Sequence, residues 1–233
     1  MEEIAWTAIS ERIGQESFTC LGARAALRKG AVRHHHYRAL GDLADVERQH
    51  VDMLEFIRGA TFSAKSFEVL VITFDPVELA GELEFEAALW RHLQLLHDVD
   101  VAAGYGWHAG YDSDPRSEHF AFCVGGHPFF IAGLHPGASR GTRRFAYPAL
   151  VFNSHLQFWA LEEHFFTMRD RIRGREVATH GSVNPSFLAY AQEARHYGGR
   201  FTEPAWQPPF VPRVRAVRQD PAGPCQDGDC DKA

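Results

Sequence analysis

The sequence predicts an α+β fold, a single domain in which helices pack on a mainly antiparallel sheet. Residues 67–74 are an apolar run of β-branched and aromatic side chains that stops at Asp75-Pro76, as a buried strand does. Residues 82–99 repeat apolar side chains with the period of an α-helix. Residues 119–124 alternate in character and meet Gly125-Gly126 before a second apolar run, which is typical of an antiparallel hairpin.

The same rules predict the remaining elements. Strands are predicted at about 67–74, 119–124, 128–134 and 146–152, and helices at about 43–58, 82–99 and 154–173. An amphipathic helix is predicted at the N-terminus, over residues 2–13. A second short helix is capped by Thr19 or Ser17, which places Cys20 at its start. The run His34-His35-His36 is predicted to be a turn.

Two histidines follow predicted strands. His135 comes directly after the second hairpin strand and is followed by Pro136, which cannot donate to a sheet ladder. Asn153 and Ser154 are candidate N-caps, so His155 is expected in the first turn of the next helix. The sequence therefore predicts that both histidines reach one end of one sheet.

Composition narrows the classes of protein. With 233 residues, of which 45% are hydrophobic, the chain is long enough for one domain, predicted over 1–210, with an extended arm and polar tail at 211–233. A net charge of −6 argues against a nucleic-acid partner. No signal peptide or membrane-length apolar run is present, so a cytoplasmic protein without a membrane partner is expected. Four scattered cysteines do not form a disulfide framework.

Cys20 and His97 each have two interpretations from the sequence alone. Cys20 is either a small buried residue or, because helix N-termini favour anions, a thiolate. His97 flanks the apolar stripe of its helix and is either a hydrogen-bonded core residue or a ligand.

The predicted core positions of the last long helix are Phe158, Leu161, Phe165, Met168 and Ile172. Fourteen histidines and eighteen phenylalanines favour a metal or a flat cofactor in an aromatic pocket.

Six separated segments resemble those of one known family. They are FTCLGARAAL, LHDVD, GLHPGASRGTRRF, PALVFNSHLQF, GSVNPSF and EARHYGGR with the following AWQPPF. In this order they resemble the YqcI/YcgG family, whose best understood members are haem-dependent N-oxygenases. Those members hydroxylate a guanidine nitrogen of arginine or of an arginine-derived amino acid in specialised-metabolite pathways.

The resemblance implies an enzyme, a haem-dependent N-monooxygenase, whose catalytic domain is the predicted 1–210 unit. Its cofactor would be haem b, with dioxygen or peroxide as co-substrate. Its partners would be a small guanidine or amine substrate and an external electron donor. No protein side chain inserts oxygen into an N–H bond alone, so such chemistry needs a metal cofactor.

One axial position on haem iron has four candidate ligands. Cys20 is favoured by its helix start and by the string CLGAR, which is similar to the ligand loop of thiolate-ligated haem monooxygenases, and a thiolate favours O–O cleavage. His135 is the leading imidazole candidate because Pro136 stiffens its backbone. His155 and His97 are the further alternatives.

Charged residues complete the predicted site. Arg140, Arg143 and Arg144 follow His135 closely and are candidate partners of haem propionates, since guanidinium groups bind carboxylates in a bidentate way. Asp98 and Glu193 lie in the resembling segments and are the preferred carboxylates for a cationic substrate. Glu162 and Glu163 are further possibilities for that role.

Two other functions remain open from the sequence. In the first, His97, His135 and His155 form a non-haem metal site in an enzyme of another class. In the second, the protein binds haem without catalysing a reaction.

Overall fold

The computed structural model of the protein describes residues 1–16, 18–77, 79, 81–161, 163–183 and 192–213, with backbone alone at 163, 165 and 180. The helices are α1 Glu2–Gly14, α2 Leu21–Arg28, α3 Leu43–Gly59, α4 Glu82–Ala102, α5 His155–Ala160 and α6 Glu163–His180. The strands are β1 Val32–Tyr37, β2 Val69–Phe74, β3 Phe122–Val124, β4 His127–Leu134 and β5 Ala149–Ser154. Gly141–Arg143 and Glu193–His196 are 3₁₀ turns.

The five strands form one sheet in the order β1-β2-β5-β4-β3. The β1 and β2 strands are parallel, and the other neighbouring pairs are antiparallel. The α+β class and the mainly antiparallel sheet predicted from the sequence are therefore confirmed. The predicted turn between β3 and β4 is also confirmed, because Gly125 and Gly126 have φ angles of 58° and 72°, which glycine adopts without a Cβ clash.

Alternation along the strands divides the sheet into two faces. On β4, Phe129 and Ile131 pack with residues of α3 and α4 in the main apolar core. Leu134, whose side chain is on the other face of the strand, packs instead with Ile9 and Ile13 of α1 in a second cluster. Because successive side chains on a strand point to opposite faces, the sheet separates a solid α3–α4 layer from the side covered by α1.

The run of three histidines was wrongly predicted to be a turn. Val32–Tyr37 is an edge strand, and His34 and His36 both bond to Thr73 Oγ1 of β2 at 2.9 Å. Polar side chains concealed this strand because they interrupt the apolar alternation on which strand prediction depends.

The prediction of one continuous helix at 154–173 was also wrong. The chain forms α5 and α6 in its place, with Leu161 in the turn after α5. Ser154 caps α5 by accepting a hydrogen bond from the amide of Gln157, so the predicted helix start is confirmed. The cap of α2 is Cys20 and not Thr19.

Other boundaries moved by a few residues. The strand predicted at 119–124 begins at Phe122, and the helix predicted at 82–99 extends to Ala102. Within the part of the chain that the structure describes, no helix combines the length and the apolar character that a membrane span needs. Most of the predicted tail, 214–233, lies outside the described residues, as do the predicted Ser17 cap and Glu162.

Candidate functional site

A cavity of about 630 Å³ lies on the face of the sheet opposite the α3–α4 layer. Its floor is formed by the alternate residues of three neighbouring strands, among them Val71, Ala132 and Val151. Residues of α1, α2, α5 and α6 form the walls, and most of the lining is apolar. The volume is within the range of roughly 300–1,000 Å³ that small-molecule and cofactor sites occupy.

Cys20 lies in the wall of this cavity at the start of α2. Its Sγ atom accepts a hydrogen bond from the Ala23 amide at 3.5 Å. Burial nevertheless raises the pKa of the thiol, and the amides of Ala23 and Gly22 and the charge of Arg143 lower it only in part. The predicted helix-start position is confirmed, but with the protein alone the group is a thiol at neutral pH because desolvation outweighs the helix terminus.

The buried carboxylate of Glu176 is hydrogen-bonded to Thr19, the residue before Cys20. Glu176 of α6 is fully buried, and its Oε1 atom accepts a short hydrogen bond from the Thr19 hydroxyl. Its Oε2 atom lies 3.4 Å from Nη1 of Arg140. Glu176 was not predicted from the sequence, because no local pattern marks a contact between residues 157 positions apart.

The three predicted arginines have different surroundings. Arg143 lines the cavity and donates to the Gly133 carbonyl at 3.0 Å, and burial lowers its pKa to about 10. Arg140 is buried and donates to Ser182 Oγ at 2.8 Å besides its contact with Glu176. Arg144 is exposed and donates to the Ala138 carbonyl at 2.9 Å, outside the cavity. The structure therefore brings Arg143 alone of the three to the cavity wall.

A second polar group lies elsewhere in the same cavity. Glu193 is 4% exposed, and its Oε1 atom accepts a hydrogen bond from the Tyr197 hydroxyl. Nε2 of His155 lies 2.8 Å from Oε2 of Glu193, although the two groups lack hydrogen-bond alignment. Both Glu193 and His155 line the cavity, so two of the residues predicted from the sequence meet there.

His135 and His97 lie outside the cavity lining. His135 is fully buried and stacks on Phe85 with 4.3 Å between ring centroids, and its two ring nitrogens have no hydrogen-bond partner among the described residues. Nε2 of His97 accepts a hydrogen bond from the Arg213 amide at 2.8 Å. Burial lowers the pKa of both rings.

The prediction that His135 and His155 share one end of the sheet was wrong. The β4 and β5 strands are antiparallel, with Phe129 opposite Ser154 and Leu134 opposite Ala149. The chain therefore leaves β4 at one end of the sheet and β5 at the other. The three histidines of the alternative metal site have separate surroundings, and the described residues contain no group of three His, Cys, Asp or Glu side chains that could hold a metal ion.

Asp98, Glu162 and Glu163 are the remaining residues that were predicted for the site. Asp98 is not part of the cavity lining, and its Oδ1 atom lies 3.1 Å from Nε of Arg213. The side chain of Glu163 and all of Glu162 lie outside the described residues. Four of the five predicted core positions of the long helix line the cavity, namely Phe158, Leu161, Met168 and Ile172, and the side chain of the fifth, Phe165, is not described. Leu161 and Ile172 are buried, so their prediction as core positions is confirmed, although all four described side chains also line the cavity.

Comparison with known proteins gives this geometry a context. A Streptomyces lavendulae protein with the name "Putative N(omega)-hydroxy-L-arginine synthase DcsA" is 27% identical over 203 residues, which cover 83% of this chain and 73% of that protein. No solved structure matches the chain significantly. The family model described as the YqcI/YcgG family matches residues 9–211, a span that includes all five strands and every residue named above in the cavity lining. The chain therefore belongs to the YqcI/YcgG family.

Proposed function

We propose that this protein is a haem-dependent N-oxygenase that hydroxylates a nitrogen of arginine, of another guanidine-bearing amino acid or of a related amine. The observation that carries the proposal is the thiol of Cys20, which caps a helix and faces a large, mainly apolar cavity. The name of the Streptomyces lavendulae relative supports arginine as the first substrate to test.

The residues around the cavity fit a haem. Helix-start thiols that accept backbone N–H groups are good thiolate ligands, because those groups stabilise negative charge on sulfur. The Ala23 amide contacts Cys20 Sγ in this way, and the charge of Arg143 acts in the same direction. His97 fits less well, since its Nε2 lone pair is already occupied by the Arg213 amide. His135 lies outside the cavity lining, so Cys20 is the residue that would hold the haem iron.

Haem b, when bound, supplies an iron that passes through the oxidation states that oxygen insertion requires. In the overall reaction, an N–H bond and dioxygen, with two electrons and two protons from an external donor, give an N–OH group and water. With hydrogen peroxide as oxidant, the same product and water form without a donor. The mainly apolar walls would limit the water around a bound haem, and Arg143 would hold positive charge beside the Cys20 sulfur.

Optical spectra of the protein, purified with haem supplied, test the proposal. The wild type should show a Soret band with stoichiometric iron, and its ferrous carbon monoxide complex should have the strongly red-shifted band of a thiolate ligand. In Cys20→Ala this band should disappear. Cys20→Ser is the second variant, because serine is a good N-cap and maintains the helix start. Cys123→Ala is the matched control, since Cys123 is buried in β3 outside the cavity lining.

Each other outcome contradicts a defined part of the proposal. A protein that stays colourless when haem is supplied would overturn the cofactor, and so would iron without porphyrin. Loss of the spectrum in His135→Ala, with retention in both Cys20 variants, would transfer the ligand to an imidazole. Haem binding without hydroxylated arginine or amine products, with dioxygen and a reductant or with peroxide, would show a carrier or sensor and not an enzyme.

A further inference from the structure

The cavity has two polar ends that differ in charge and in partners. Cys20 packs in the same apolar cluster as Leu134, which marks one end of the β4 floor. At the other end, Phe130 contacts Tyr197, the hydrogen-bond partner of Glu193, with 5.8 Å between ring centroids. Leu134 and Phe130 are four residues apart on β4, which is about 13 Å along a strand. The thiol and the carboxylate therefore lie toward opposite ends of the β4 floor.

Glu193 is a buried carboxylate with unused acceptor capacity. The contacts of the described residues give it one partner on each oxygen, the Tyr197 hydroxyl on Oε1 and His155 on Oε2. An ionised carboxylate offers about four lone-pair positions, so each oxygen can accept a further hydrogen bond. Burial of a negative charge is costly unless a cation pairs with it. A cationic ligand in the cavity would therefore gain from this position.

The walls next to Glu193 suit a flat cation. Tyr111 and Trp159 line the cavity and stack on each other, with ring centroids 5.3 Å apart and an angle of 9° between the rings. Tyr111 also contacts the ring of His155, with 4.9 Å between centroids. Aromatic faces attract guanidinium groups, and the planar N–H fork of a guanidinium matches a carboxylate.

Resting on the proposed function, we propose that Glu193 holds the positively charged group of the substrate, a guanidinium or an ammonium, at the end of the cavity remote from Cys20. The Tyr197 hydroxyl holds one carboxylate oxygen and His155 lies beside the other, and both oxygens keep lone pairs for a cation in the cavity. This arrangement would deliver a nitrogen atom of the cation into the space between the carboxylate and the thiol. It also selects charged guanidines over neutral ureas of the same shape.

Calorimetric binding of L-arginine and L-citrulline to the protein, as purified and after haem is supplied, tests this assignment. Citrulline has nearly the same shape, but its urea group is neutral. The wild type should bind citrulline about tenfold to a hundredfold more weakly than arginine, as expected for loss of a charged hydrogen-bond pair. Glu193→Gln should weaken arginine binding by a similar factor and leave citrulline binding nearly unchanged.

Asp98→Asn is the matched control, because Asp98 pairs with Arg213 and does not line the cavity. It should bind arginine as the wild type does. Equal binding of arginine and citrulline by the wild type overturns the assignment even if Glu193→Gln does not fold. An effect of Asp98→Asn as large as that of Glu193→Gln also overturns it.

The same measurements separate this assignment from the proposed function. If haem binds at Cys20 but arginine binding does not depend on Glu193, the charge-recognition role fails and the cofactor stands. If arginine binding depends on Glu193 but no haem is taken up, the recognition site stands and the oxygenase fails. Failure of arginine and of simple amines to bind in either state removes the recognition site.

Discussion

The hydroxyl of Thr19 donates a short hydrogen bond to Glu176, which fastens α6 to the residue before Cys20. Two further bonds join the same segments, because Nη2 of Arg175 donates to the carbonyls of Glu16 at 2.6 Å and of Phe18 at 3.3 Å. The position of the thiol in the cavity wall therefore depends on a helix that begins more than a hundred residues later in the chain.

Replacement of the Thr19 hydroxyl should destabilise the protein. In Thr19→Val the buried Glu176 carboxylate loses a hydrogen-bond donor, so we expect the free energy of unfolding to fall by about 1.5–3 kcal/mol. Urea unfolding measures this change. Thr7→Val is the control, since Thr7 bonds an exposed carbonyl within α1 and its loss should change the value by at most about 0.5 kcal/mol. Equal effects of the two substitutions would contradict a structural role for the Thr19–Glu176 bond.

In the haem-free protein, the thiol of Cys20 should react slowly at neutral pH. Burial raises its pKa, so the reactive thiolate is scarce until the pH rises above the ordinary value of 9.0. In a Cys123→Ala, Cys225→Ser, Cys230→Ser background, the rate of alkylation by iodoacetamide should increase steeply above that pH. The pKa of Cys20 is higher in the folded protein than in the unfolded chain, so this thiol contributes its full stabilisation only below the pKa of the unfolded chain, 9.0. The free energy of unfolding should therefore also decline as the pH rises above that value.

The neighbouring charges give this experiment an internal control. The charge of Glu176 raises the pKa of Cys20, so Glu176→Gln should shift the alkylation profile to lower pH. The charge of Arg143 lowers it, so Arg143→Gln should shift the profile to higher pH. Shifts in the same direction for both variants would mean that altered packing, and not electrostatics, controls the thiol.

Much of the fold could be predicted because its signals are local. The β2 strand and α4 helix each contain a full apolar pattern within their own residues. The β1 strand lacks such a pattern, since its histidines are satisfied by Thr73 on the neighbouring strand, a partner about 40 residues away. The break between α5 and α6 was missed for the opposite reason, because an apolar period continues across it.

In the candidate site, too, the positions set by neighbouring residues could be predicted, and the contacts between distant segments could not. Cys20 at a helix start and His155 behind a serine cap depend on neighbouring residues, and both positions were predicted. The approach of His155 to Glu193, and of Glu176 to Thr19, depends on how distant segments pack. Antiparallel pairing of β4 and β5, which a sequence pattern does not show, is what separates His135 from His155.

Gly133 is a place where the packing of α4 against the sheet leaves no room for a side chain. A Cβ atom there would lie 2.6 Å from Cε1 of Phe85 and 2.9 Å from Cδ1 of Leu89. We expect Gly133→Ala to lower the free energy of unfolding by about 1–3 kcal/mol, as overpacking does in a closed core. Thermal or urea unfolding measures the change.

An exposed glycine in α6 is the matched control. A Cβ atom at Gly174 meets nothing within 4 Å. Alanine is the better helix former, so Gly174→Ala should raise the free energy of unfolding by about 0.5–1 kcal/mol. Destabilisation by both substitutions would contradict the packing explanation for Gly133.

His92 should make the fold sensitive to acid. The amide of Gly41 donates to its Nδ1 atom at 3.0 Å, so the proton of the neutral ring is on Nε2, which lies 2.8 Å from Oε1 of Gln49. Burial lowers the pKa of His92 to about 3 from an ordinary 6.5. A second proton would have to enter at Nδ1, where an N–H group already points.

The direction of the pH effect follows from the lowered pKa. Below pH 6.5 the unfolded chain takes up a proton at His92 that the folded chain refuses until about pH 3, so acid favours unfolding. His92 alone should cost about 2 kcal/mol of unfolding free energy between pH 7 and pH 5. His92→Gln, although less stable at pH 7, should have a shallower dependence on pH by about one proton. Parallel pH dependences, or an NMR titration of the His92 ring near 6.5 in the folded protein, would show that the ring protonates inside the fold.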